Sequence, residues 1–182
     1  LAKIFLLFPL FISSAYSQVQ MGSDIDGEAR ADYFGDSVAL SSDGPIVAIG
    51  ATRNDGNGSD SGHVRLYQWN GSSWDQLGSD IDGENGGDRS GGSVALSSDG
   101  SIVAIGAEGG SGDVRLYKWD GLTSSWNQLG SDIDGEASGD LSGLSVSLSS
   151  DGSIVAIGAY GNDGNGIDSG HVRIYKNVNN TW

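Results

Sequence analysis

The heptapeptide GSDIDGE begins at Gly22, again at Gly78 and again at Gly130, and the segments between its copies repeat as well. SVALSSDG at Ser37 returns at Ser93 and, as SVSLSSDG, at Ser145; IVAIGA follows at Ile46, Ile102 and Ile154. HVRLYQW at His63 is matched by DVRLYKW at Asp113 and HVRIYK at His171. Successive heptapeptides are 56 and then 52 residues apart. A period of this length constrains the fold before any local motif does, because each copy is one supersecondary unit that buries its apolar faces on its neighbours. The length difference is confined to Gly-, Asn-, Asp- and Ser-rich stretches, which are therefore loops, where insertion costs little.

Each copy reads as four strands. Ser37 to Ser42 alternates and stops at a Ser-Asp-Gly turn signal, and Ile46 to Ala51 resumes as a β-branched run too short for a helix. Gly62 to Trp69 is a third strand, NGSS a turn, and Trp74 to Asp80 a fourth. Four short antiparallel strands per period predict an all-β chain of β-propeller blades. A blade is covered on both faces, which explains why IVAIGA and SVAL carry small or apolar residues at nearly every position. The repeats run approximately over residues 22–77, 78–129 and 130–182.

YFGDSVALSSDGPIVAIGAT, Tyr33 to Thr52, followed by GHVRLY, resembles the FG-GAP repeat of integrin alpha-subunit propellers and of related bacterial surface proteins. Phe34-Gly35 occupies the FG position and Gly50-Ala51 the first two residues of GAP; Ser90-Gly91 and Ser142-Gly143 replace Phe-Gly in the later copies. The resemblance implies a surface-exposed propeller. It also implies a calcium loop between the first two strands, but that place holds only Ser-Ser-Asp-Gly, with one carboxylate for an ion that takes six to eight oxygens. Calcium is not expected there.

Three copies are fewer than the four to eight blades of a closed ring. Trp182 aligns with Trp74 and Trp126 at the start of strand four, and QVQMGSDI at Gln18 aligns with WDQLGSDI at Trp74. The chain thus begins with a fourth strand lacking its first three, the offset by which propellers close. It reads as a fragment of a larger propeller, with an open stack or a six-bladed homodimer as alternatives.

Residues 1–17, LAKIFLLFPLFISSAYS, have the order of a secretory signal peptide: one lysine, an apolar run from Ile4 to Ile12, then small and polar residues. Cleavage is expected near Ser17, leaving a partial propeller over 18–182, exported to the medium or the cell surface with no membrane insertion afterwards. With 24 acidic against 9 basic residues the formal net charge is -15, which opposes nucleic acid and anionic membranes as partners. There is no cysteine, so stability outside the cell rests on packing or bound cations.

Four sets of residues are candidates for chemistry. Asp24, Asp26 and Glu28 of the first heptapeptide either chelate a cation or form a blade-to-blade turn with the acids in water. The loops NDGNGSDSG and NDGNGIDSG offer Asp55, Asn57 and Asp60, and Asp163, Asn165 and Asp168, as alternating oxygen donors in a glycine-rich curve, a calcium-loop pattern without its terminal glutamate. His63 and His171 share one repeat position and read as structural. Arg65, Arg115 and Arg173 recur beside Tyr67, Tyr117 and Tyr175 and read as inter-blade packing and ion pairing. No zinc-protease, nucleophile-elbow or phosphate-loop motif occurs, and near-identical blades lack the asymmetric roles that catalysis needs. The expectation is a non-catalytic module that binds an extracellular protein or glycan. The alternative is the substrate-binding part of a secreted polysaccharide-active enzyme.

Overall fold

A computed structural model describes residues 18–42 and 44–182, so the expected signal segment and Asp43 of the first turn lie outside the described residues. Among the described residues there are thirteen strands, and no helix is long and apolar enough to cross a membrane. The first sheet pairs β1 (Phe34–Leu40), β2 (Ile46–Ala51), β3 (His63–Trp69) and β4 (Trp74–Gln76), with β5 (Ile81–Asp82) also on β3. The second repeats this with β6 (Ser90–Leu96), β7 (Ile102–Ala107), β8 (Asp113–Asp120), β9 (Ser125–Gln128) and β10 (Ile133–Asp134). The third holds β11 (Ser145–Leu148), β12 (Ile154–Ala159) and β13 (His171–Lys176). All pairings between these strands are antiparallel, and each sheet is one blade.

The outer strand is split where the sequence predicts one run from Trp74 to Asp80. Leu77 still donates its N–H to Leu66, but Gly78 turns left-handed (φ 82) with its Cα against the rings of Trp119 and Trp126. Only glycine meets both conditions without strain. The chain returns to the sheet at Ile81 and Asp82, opposite Val64 and His63. The heptapeptide therefore supplies a buried core residue, Ile81 or Ile133, as well as a corner.

Each blade presents two unlike apolar faces, because successive side chains in a strand point to opposite sides. Ile46, Ala48, Val64, Leu66 and Ile81 of the first blade pack on Val103 and Ile105 of the second, with Val94, Leu96 and Tyr117 alongside. Ala104, Val114, Leu116 and Ile133 of the second pack in the same way on Val155 and Ile157 of the third. The inner strands close this sandwich. Gly50 lies against the carbonyl of Gly91, and Gly106 against that of Gly143, so closely that a Cβ at either glycine would drive into the neighbouring blade's backbone. Ser37 and Ser93 donate their hydroxyls to the same two carbonyls, each at 2.6 Å.

At the two ends of the stack the same surfaces are open. Val172 and Ile174 are 66% and 70% exposed, although their counterparts Val64, Val114, Leu66 and Leu116 are almost wholly buried. At the other end Val38 and Leu40 are exposed.

Gly106→Ala is expected to lower stability by about 1–3 kcal/mol, the usual range for forcing an extra carbon into a packed site. Gly158→Ala, at the same repeat position in the third blade, meets first the Ser145 hydroxyl, which can rotate away, and should cost much less. Urea unfolding of the two variants side by side makes the comparison.

Candidate functional site at the blade joints

One set of contacts recurs at every joint. Arg65 on β3 is 6% exposed, and it donates from Nη2 to the Asp26 carbonyl (2.9 Å), with Nη1 3.6 Å from Glu28. Arg115 on β8 does the same with the Asp82 carbonyl (3.0 Å) and Glu84 (3.8 Å), and Arg173 on β13 with the Asp134 carbonyl (2.6 Å) and Glu136 (3.6 Å). The guanidinium suits this role because its planar fork stays charged and serves two acceptors at once. Arg65 also lies over the Phe34 ring, 4.3 Å from its centre. In each repeat a tryptophan indole N–H is spent on the backbone: Trp74 on Met21, Trp126 on Leu77 and Trp182 on Leu129, at 3.0, 2.8 and 2.6 Å.

The three acids of each heptapeptide are thus divided among different tasks. In the second copy Asp80 accepts from the Gln76 amide (2.6 Å), Asp82 offers its backbone carbonyl to Arg115, and Glu84 offers its carboxylate to the same arginine. The first copy places Asp24 on the Gln20 amide (2.7 Å), Asp26 by its carbonyl on Arg65, and Glu28 by its carboxylate on Arg65.

The long loops are closed by side-chain carboxylates and amides on the backbone. Asp60 (φ 51) donates its N–H to the Asp55 carboxylate at 2.8 Å, and Asp168 (φ 51) donates to Asp163 at 2.8 Å. The Asn57 amide reaches across to the carbonyls of Gly83 and Glu84 in the next junction, at 2.8 and 3.0 Å. Asp55 and Asn57 in one loop and Asp163, Asn165 and Asp168 in the other are exposed. Sequence reading missed the residue that anchors each loop. Buried Asn54 donates to the buried Asp32 carboxylate (3.0 Å), and Asn162 to Asp140 (2.8 Å). The signal was present in the recurrence of Asp32, Asp88 and Asp140, one in each copy, three residues before Gly35, Gly91 and Gly143. In the Ser-Ser-Asp-Gly turns the lone carboxylate is consumed locally: Asp99 and Asp151 each accept hydrogen bonds from two nearby serines, which hold both below the usual carboxylate range.

The position shared by the histidines is the most chemically varied in the repeat. His63 is 1% exposed, with Nδ1 3.6 Å from Asp80, and both ring nitrogens lack a hydrogen-bond partner. Burial pushes its pKa down against the attraction of Asp80, so the neutral ring is favoured. Glu28, His63 and Asp80 each bring one ligand-type atom within 4.8 Å of the others. In the third blade Nδ1 of His171 lies 3.8 Å from Glu136. The middle blade has Asp113, whose pKa is raised to about 6, chiefly by burial; Arg115 opposes the shift, and Asp132, Asp88 and Glu84 add to it. Its buried Oδ1 has no hydrogen-bond donor.

A carboxyl that holds its proton more tightly when folded withdraws stability as pH rises through the interval between its unfolded value and about 6. Asp113→Asn is expected to become progressively more stabilising relative to the parent between about pH 4 and pH 7, reaching on the order of 2 kcal/mol. Denaturant unfolding of both proteins across that range tests this; a difference independent of pH would contradict it.

On the outer edge two shallow grooves repeat the joint. One, of about 350 Å³, is lined by residues 22–26 with Tyr67 and Trp74, and the other, of about 250 Å³, by residues 79–82 with Tyr117 and Trp126.

The profile of the FG-GAP repeat matches residues 17–67 and 132–175. No curated protein matches the sequence. Among solved structures, a candidate 6-phosphogluconolactonase from Bacteroides fragilis is 12% identical with a TM-score of 0.56, over 79% of this chain and 35% of that one. Sqt1 of Saccharomyces cerevisiae is 15% identical with a TM-score of 0.52, over 82% and 32%. KlAtg21, solved in complex with the coiled coil of AgAtg16, is 12% identical with a TM-score of 0.54, over 79% and 40%. Likeness at this identity shows the fold alone. The chain spans about a third of the length of these structures.

Proposed function

We propose, from the premise that this chain belongs to the FG-GAP repeat family, that it is a non-catalytic recognition module exported to the medium or the cell surface. The observation that carries this reading is the repeated outer groove, in which a pair of aspartates, a tyrosine and a tryptophan recur one blade apart. An aromatic face beside carboxylates suits sugar rings and their hydroxyls, or the cationic side chains of a protein segment. Repetition offers several weak contacts to one extended ligand, and these gain affinity by acting together. The signal-like segment at residues 1–17 and the acidic, cysteine-free composition support export. The same grooves fit a second reading, the substrate-binding part of a secreted polysaccharide-active enzyme.

A further blade of the same repeat, from a longer chain or a second copy, is the occupant proposed for the open end faces, since Val172 and Ile174 belong to a surface that two internal joints already bury. Calcium, a further part of the proposal, is assigned to the long loops. Asp55 has one carboxylate oxygen committed to the Asp60 N–H, so these residues fit a loosely held ion completed by water better than a full protein cage.

Binding to arrays of neutral glycans and of basic extracellular protein segments tests the recognition reading. The double substitution Asp26→Asn with Asp82→Asn keeps the backbone carbonyls that hold Arg65 and Arg115 and alters only groove side chains. It is expected to weaken binding several-fold, and added salt should abolish binding only of the cationic ligands. No binding of either class would defeat the reading, and conversion of a bound glycan would overturn its non-catalytic part. Calorimetry with calcium after chelation should show about two weak sites and a raised melting temperature.

A further inference from the structure

We infer that Glu28, His63 and Asp80 form a site for a divalent first-row transition cation of the zinc class, placed where the first blade meets the junctions on both its sides. The inference does not rest on the calcium loops or on ligand binding in the grooves, although Asp80 also lines the second groove. Its parts come from three elements: Glu28 from the first heptapeptide, His63 from β3 and Asp80 from the second heptapeptide. The ligand-type atoms lie within 4.8 Å of one another, and His63 Nδ1 is already 3.6 Å from Asp80. Atoms sharing one zinc ion sit roughly 3.3 to 4 Å apart, so modest side-chain rotation closes the set.

The strongest argument is the imidazole. A histidine that is 1% exposed with neither nitrogen hydrogen-bonded carries an unmet desolvation cost, and a cation on Nδ1 meets the share that falls on that nitrogen. Metal on Nδ1 places the ring proton on Nε2. One imidazole with two carboxylates selects a borderline cation over calcium or magnesium, which take oxygen donors only. Charge supports the same choice. Besides Glu28 and Asp80 the ring faces Asp82 and Arg65, and Arg65 already lies 3.6 Å from Glu28, so a divalent ion enters a net acidic site.

The other blades provide internal controls. The middle blade replaces the imidazole with Asp113, and among the described residues the third blade offers only the pair His171 and Glu136. Titrating the chelator-stripped full chain with zinc, by calorimetry and by competition with a metal-sensitive dye, should give one equivalent that excess calcium does not displace. Asp80→Asn should weaken binding at least tenfold and abolish the zinc-dependent rise in melting temperature, whereas Glu136→Gln should bind as the parent does. Cobalt should give visible absorption bands in the parent that are lost in Asp80→Asn. Circular dichroism in chelator verifies the fold of each variant. His63→Asn serves as a second ligand test if it folds, and Asp80, on the partly exposed side of the cluster, carries the test if it does not. Absence of zinc binding, or binding unchanged by Asp80→Asn, would overturn the assignment.

Discussion

The contact between one blade's second strand and the backbone of the next blade's inner strand governs the rest of this structure. Gly50 and Gly106 have no side chain because the carbonyls of Gly91 and Gly143 occupy that space. The approach brings the inner strands close enough for Ser37 and Ser93 to reach the same carbonyls, and it aligns the odd face of one sheet with the even face of the next. The family signature thus has a physical reading: the glycine of GAP in one blade and the glycine of FG in the following blade are the two sides of one joint.

Around that joint the polar groups are ordered by what burial demands. A buried arginine must be paired and hydrogen-bonded, and Arg65 and Arg115 each obtain both from one heptapeptide, as does the partly exposed Arg173. The triple recurrence of GSDIDGE follows from this division of labour. Its glycine turns beneath a tryptophan, its isoleucine enters the core in the second and third copies, its second aspartate gives a carbonyl, and its glutamate gives a carboxylate. Truncating any one of these would leave a buried donor or a gap in the core, so the segment is constrained along most of its length.

The sequence made the architecture legible because period, alternation and turn chemistry all pointed to the same four-stranded unit. IVAIGA and the third strand lie where the spacing puts them. The outer strand reads locally as one run through Gly78, whereas that glycine turns left-handed against Trp119 and Trp126 some forty positions later, a tertiary contact that no local pattern reveals. The arginines' pairing with acids was legible from charge alone. The pairing of His63 with Glu28 and Asp80 was not, since those three residues come from separate elements and only the fold brings them together. The inward-facing Asn54 and Asp32 were hidden for the same reason, as both read locally as ordinary loop residues.

The two faces of each blade are different surfaces, so the stack has a direction. One end offers the side bearing Val38 and Leu40, and the other the side bearing Val172 and Ile174. A joint between one end face and the other is therefore head-to-tail. Such growth has two outcomes, a ring that consumes both ends or a filament that never does. The rotation between neighbouring sheets at each glycine–carbonyl contact decides which one follows, so a substitution at Gly50 or Gly106 would act on the curvature of the stack as much as on the stability of the fold.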